Sequence, residues 1–122
     1  MAWDFTKDRP IYSQLVEQIK VRIFSGAWDL GERLPTVREL AATAGVNPNT
    51  VQRAFAELER EEIIYTERTT GRFITGDAEA LNKQKKAAAV QQIEKFFSTM
   101  TDLGYNKQAA LELLTTIVKE GK

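Results

Sequence analysis

The stretch Asn47–Glu61, NPNTVQRAFAELERE, decides the fold. It reads as a helix with a strong start. The Asn47 side-chain oxygen can accept from a free backbone N–H of the first turn. Pro48 then occupies the first helical position, where a missing N–H costs nothing. Val51, Ala54, Phe55 and Leu58 recur at helical spacing and form one apolar stripe. The other face of the first turns carries Asn49, Thr50, Gln52 and Arg53, side chains that pair with base edges and phosphates. The acids Glu57, Glu59, Glu61 and Glu62 gather toward the far end. Such a helix is suited to meeting a polyanion with its N-terminus.

Working upstream, only Gly45 and Val46 separate this helix from the one before it, over Thr36–Ala44. Thr36 and Glu39 stand at capping-box spacing. Val37, Leu40 and Ala41 face inward, and Gly45 ends the helix. Two helices joined by so short a glycine-containing turn form a helix-turn-helix. Ala27–Pro35 holds two breakers, Gly31 and Pro35, and is read as a connection that Trp28 and Leu30 plug into the core. A first helix is expected from Pro10 to Ser25, with Ile11, Leu15, Ile19 and Ile23 as its buried stripe. Before it, Trp3 and Phe5 belong to an arm that patches the core.

Downstream, Ile63–Thr66 and Arg72–Thr75 are β-rich runs flanking Arg68-Thr69-Thr70-Gly71, and predict a hairpin. Ile64 and Thr66 should alternate with Ile63 and Tyr65 across its faces. A hairpin directly after a helix-turn-helix is a wing. Beyond Gly76 the composition changes. Asp77 can cap a long helix over Ala78–Leu103, and Gly104 and Asn106 separate it from a second, folded back as a hairpin. The apolar residues Leu81, Val90, Ile93, Phe96, Phe97, Met100, Leu111, Leu114 and Ile117 would leave an exposed stripe that a second chain covers. The Lys83-Lys85-Lys86 cluster is read as a solvated face. The expected architecture is thus mainly α with a small β-hairpin. A winged helix-turn-helix spans 1–76, and a two-helix dimerisation tail spans 77–122.

Composition narrows the chemistry. Hydrophobic residues make up 43% of the 122, enough for a packed core. There is no cysteine and no histidine, which removes disulfides, thiolate or imidazole metal sites and Cys- or His-based catalysis. No cofactor or metal is expected. No apolar run approaches the roughly 20 residues needed to span a bilayer, and the chain is read as cytoplasmic. The 17 basic and 17 acidic residues cancel, so any DNA contact must rest on local placement of charge. An enzyme would need tuned groups in a pocket, and the motif positions bear no nucleophile–base pair.

The runs Leu34-Pro35-Thr36-Val37-Arg38-Glu39-Leu40-Ala41, Gly45-Val46-Asn47-Pro48-Asn49-Thr50-Val51, Arg53-Ala54 and Leu58-Glu59, with Pro10-Ile11-Tyr12, Gln14-Leu15 and Ile19 before them, resemble the GntR family of bacterial transcription regulators. The similarity covers roughly Arg9 to Thr75. The short two-helix tail resembles the YtrA-like subfamily, in which the tail makes the dimer. The resemblance implies a homodimer on a palindromic operator, acting as a repressor by family habit, with or without a small-molecule effector. It also implies DNA contacts from Arg38, from Asn47, Pro48, Asn49, Thr50 and Gln52, and from Gly71 at the wing tip with Thr70 beside it. Thr69 stands where many members have a first wing glycine, and Glu62 where many have glycine before the wing. Pro48 and Gln52 stand where relatives often carry arginine.

Read as side chains, Asn49 and Gln52 suit adenine through bidentate contact to N6 and N7. Thr50 suits a phosphate or a thymine methyl. Arg53 either clamps a phosphate or pairs with Glu57, and Asn47 either touches DNA or only caps. Arg72 is expected at the minor groove or a phosphate. The expected DNA-contact set is Thr36, Arg38, Asn47, Pro48, Asn49, Thr50, Gln52, Arg53, Thr70, Gly71 and Arg72. The rival reading is a winged-helix module that binds protein instead of DNA.

Overall fold

A computed structural model describes residues 2–121. Among them lie α1 (Ile11–Phe24), α2 (Val37–Ala44), α3 (Pro48–Arg60), β1 (Ile64–Glu67), β2 (Gly71–Ile74), α4 (Ala78–Asp102) and α5 (Lys107–Gly121). The mainly α, winged helix-turn-helix architecture is the expected one. The described chain divides into two compact units, one up to Gln84 and one from Lys85 onward.

In the first unit the core is drawn from every element. Leu15, Ile19 and Ile23 of α1, Leu40 and Ala41 of α2, and Val51, Ala54, Phe55 and Leu58 of α3 are all buried. At about 1.5–3 kcal/mol for each large side chain removed from water, this cluster is the principal source of stability. The two helices of the helix-turn-helix are joined through Gly45, which takes a left-handed φ of 71° and donates its N–H to the Ala41 carbonyl. Leu30 departs from expectation: it is 44% exposed. Trp28 alone of that pair packs on the core, with Trp3 at 6.3 Å edge to face.

The exit from α3 fixes the wing. The Ile63 N–H donates to the Leu58 carbonyl at 3.0 Å and the Glu62 N–H to the Glu59 carbonyl at 3.0 Å. These are the two bonds of a Schellman closure. Glu62 sits at its left-handed position, with φ 61°. The turn swings Ile63 down beside Leu58, and both are fully buried. The expected alternation therefore fails at its start, because Ile63 belongs to the helix cap and Ile64 to the first rung, and both point inward. The strands shift accordingly: Ile64 pairs with Ile74 and Glu67 with Gly71, antiparallel.

The connection before α2 also joins the sheet. Arg33 bridges Phe73, the Leu34 N–H donates to the Arg72 carbonyl at 2.8 Å, and the Ile74 N–H donates to the Glu32 carbonyl at 2.9 Å. Sequence pattern gave no sign of this extra edge, since the segment is short and interrupted by breakers.

Asp77 caps α4, its carboxylate accepting from the Ala80 N–H at 3.1 Å. Leu81, expected with the dimer stripe, is instead packed into the first unit's core. In the second unit Gly104, at φ 98°, turns the chain, and the Tyr105 N–H closes on the Met100 carbonyl at 2.9 Å. Asn106 then caps α5 through the Ala109 N–H at 2.8 Å. Ala110 is buried, whereas Val90, Ile93, Phe96, Leu111, Leu114 and Ile117 are exposed. Phe97 and Met100 are half-buried.

Candidate nucleic-acid interface

The start of α3 is built as the sequence implies. Asn47 Oδ1 accepts from the Asn49 N–H at 2.8 Å, and Pro48 follows at the first position. The Asn47 side-chain oxygen thus fills the capping role, and its amide nitrogen lies on an exposed residue. The first turn contains no acid, so the positive end of the helix dipole is uncancelled. Asn49, Gln52 and Arg53 are exposed, and Thr50 is half-buried.

The start of α2 is capped reciprocally. Thr36 Oγ1 accepts from the Glu39 N–H at 3.1 Å, and Glu39 Oε1 accepts from the Thr36 N–H at 2.8 Å. The Thr36 N–H, then its hydroxyl, then the charge of Arg33 hold the Glu39 carboxyl below its usual range. Glu32 is likewise occupied, accepting from the Asp29 N–H at 2.7 Å. The two acids nearest Arg38 in sequence thus have other partners. Arg38 is exposed and has no ion pair among the described residues. Arg38 is thus a cation left open at a helix N-terminus, the unfavourable end for it.

Arg53 takes a course the sequence did not indicate. Its guanidinium lies 3.6 Å from the centroid of the Tyr12 ring. Glu57 is engaged instead by Arg60, whose Nε donates at 3.3 Å. Pro10, Ile11, Tyr12, Asn49, Thr50 and Arg53 line one open cleft. Tyr12 was missed as a site residue. The available signal was an aromatic one position off the stripe that begins at Ile11, which turns it toward α3.

At the wing, Thr70 is exposed and Gly71 adopts φ 120°. A Cβ on Gly71 would meet Arg33 Nε at 3.0 Å, so glycine lets the Arg33 side chain lie against the hairpin. Arg33 is the second residue missed, because its neighbour is distant in sequence. Arg72 was expected to reach outward. The structure places it half-buried, its guanidinium 5.1 Å from the Phe55 ring centroid, with Nη2 donating to Gln52 Oε1 at 3.4 Å. These elements therefore combine open cations at Arg38 and Arg68 with cations held on rings at Arg53 and Arg72. Among the described residues no His, Cys, Asp or Glu cluster could hold a metal ion, and no helix is long and apolar enough to cross a membrane.

Comparisons with known proteins agree with this geometry. The model of the bacterial regulatory proteins of the gntR family matches residues 11–74, the span from α1 to β2. The uncharacterized HTH-type transcriptional regulator YhcF of Bacillus subtilis is 38% identical over 117 residues, which is 96% of this chain and 97% of that protein. The HTH-type transcriptional repressor YtrA of the same organism is 41% identical over 83 residues, 68% of this chain and 64% of that protein. Among solved structures, a GntR family transcriptional regulator from Listeria monocytogenes superposes with a TM-score of 0.84 at 42% identity, over 92% of this chain and 98% of that one. The N-terminal domain of AraR, in complex with mutant ORR3, superposes with a TM-score of 0.54 at 27% identity, over 57% of this chain and 100% of that one. The capped and acid-free recognition helix, the wing and these likenesses lead to one conclusion: the chain belongs to the GntR family and is a transcriptional regulator with a DNA-binding winged helix-turn-helix.

Proposed function

We infer that two copies of this chain bind a palindromic operator and repress transcription from it, in the cytoplasm. The carrying observation is the acid-free, capped start of α3 beside an Arg38 that has no ion pair among the described residues. In this reading residues 1–76 hold the DNA. Asn49, Thr50 and Gln52 meet base edges in the major groove, with Asn47 and Pro48 setting the helix start. Thr36 and Arg38 meet the backbone at the start of α2, Arg53 meets a phosphate from its seat on Tyr12, and Thr70, Gly71 and Arg72 serve from the wing. Residues 77–122 join the copies through the exposed apolar side chains of α4 and α5, among them Val90, Ile93, Phe96, Leu111, Leu114 and Ile117. Two recognition helices in a dimer would enter successive major grooves, about 34 Å apart. The repressor assignment draws support from the likeness to YtrA, a repressor.

The test is a mobility shift on the promoter of the chain's own operon and on a pool of random duplexes, across a salt series. With Arg38 and Arg53 from each copy neutralising phosphates, log K should fall with log salt at a slope of about −4. Absence of salt-sensitive retardation on every duplex would favour a protein-binding module instead.

A further inference from the structure

Among the described residues, one side-chain hydrogen bond joins the recognition helix to the strand β2, between Gln52 and Arg72. Arg72 is fixed at its base. Its backbone pairs with Thr66 across the hairpin, and its carbonyl accepts from Leu34 on the other side. Its guanidinium crosses the Phe55 ring, and Nε is buried with no partner among the described residues. Only the far end of the group is free to choose a partner, and it donates to Gln52 Oε1.

A guanidinium has donors and no acceptor. The Gln52 amide must therefore turn its oxygen toward Arg72, which settles the orientation of a group whose two ends are otherwise hard to tell apart. Its NH₂ end then faces away. Adenine recognition by glutamine needs both ends directed at one base edge, the oxygen accepting from N6–H and the NH₂ donating to N7. With the oxygen drawn to the wing, Gln52 offers donors. The bases that present acceptors alone in the major groove are guanine, through O6 and N7, and thymine, through O4.

We propose that Arg72 is a specificity-determining residue that acts through Gln52, holding it as a hydrogen-bond donor so that it reads guanine or thymine rather than adenine. This rests on the DNA-binding reading above and revises the expectation that Gln52 suits adenine.

The experiment is selection of binding sites from random duplex DNA by the full chain, comparing wild type, Gln52→Ala, Arg72→Ala and Arg72→Met. The methionine keeps an unbranched stem over Phe55 without a donor, and circular dichroism confirms that each variant folds. The position whose preference disappears in Gln52→Ala is the one Gln52 reads. In the wild type that position should be guanine or thymine, preferred on the order of tenfold. Both Arg72 variants should move it toward adenine and leave the rest of the motif in place. Adenine at that position in the wild type overturns the proposal, as does an unaltered preference in both Arg72 variants or a motif that Gln52→Ala leaves unchanged. Loss of all binding in both Arg72 variants, with Gln52→Ala still bound, would make Arg72 a phosphate contact and also overturn it. A wild-type chain that enriches no motif fails one step earlier, at the DNA-binding reading itself.

Discussion

Replacing Glu62 by glycine should stabilise the protein. Glu62 occupies the left-handed position of the closure that ends α3, at φ 61°. It is exposed, and its side chain makes no hydrogen bond or ion pair among the described residues, so the substitution sacrifices no such contact. A side chain held in that region of backbone space costs about 1–3 kcal/mol. Against this, glycine loses about 0.4–1 kcal/mol because its unfolded chain has more freedom to give up. The difference favours Glu62→Gly by about 1 kcal/mol, or about 4–8 °C in the thermal midpoint of a unit this size. Urea denaturation at fixed protein concentration measures it, with Glu62→Ala as the control. Alanine removes the same charge from beside Glu59 and Glu61 but keeps the Cβ, and should stay within about 0.5 kcal/mol of wild type. A glycine variant no more stable than the alanine variant would show that the backbone there carries no strain.

Further outcomes follow from the same geometry. Arg38→Ala should weaken operator binding about tenfold, the scale of one charge-assisted bond, and lower the salt slope by about 1, with the melting temperature unchanged; unaltered affinity removes Arg38 from the interface. Phe96→Asp with Phe97→Asp should yield a monomer by sedimentation and lose operator binding together with the dimer, and a persistent dimer would refute the role given to that face. The Glu39 carboxyl is held below its ordinary value, so its contribution is present above that value and disappears as pH falls through the lower folded one. The urea midpoint of wild type should thus exceed that of Glu39→Gln at neutral pH, and the gap should close in acid. A gap that does not change with pH would count against an ionised partner in the cap.

The helices were legible because their signals are local. Thr36 with Glu39, Asn47 with Pro48, Asp77 and Asn106 each mark a helix start within a few residues, and each is found capping in the structure. What escaped was set by distant partners. Nothing near Leu30 reveals that the core is already filled by Trp28 and its neighbours. Nothing near Leu81 reveals that the first unit's core reaches it. Arg53 reads as a phosphate clamp or a partner of Glu57 and Arg72 as a DNA contact, yet the rings that hold them, Tyr12 and Phe55, lie on α1 and α3. Ile63 was an intermediate case: its inward turn follows from the helix closure, which glutamate in place of glycine at position 62 disguises.

The bonds from Glu32 and Leu34 to β2 have a mechanical consequence. They make the second wing strand an inner one, shielded on both flanks, so its amides should be slow to exchange with deuterium and closed to pairing with other chains. Only Pro35 lies between this seam and the Thr36 cap. The hairpin and the helix bearing Arg38 are therefore riveted into a single jaw, and a duplex entering it would meet a preset gap instead of a flapping finger.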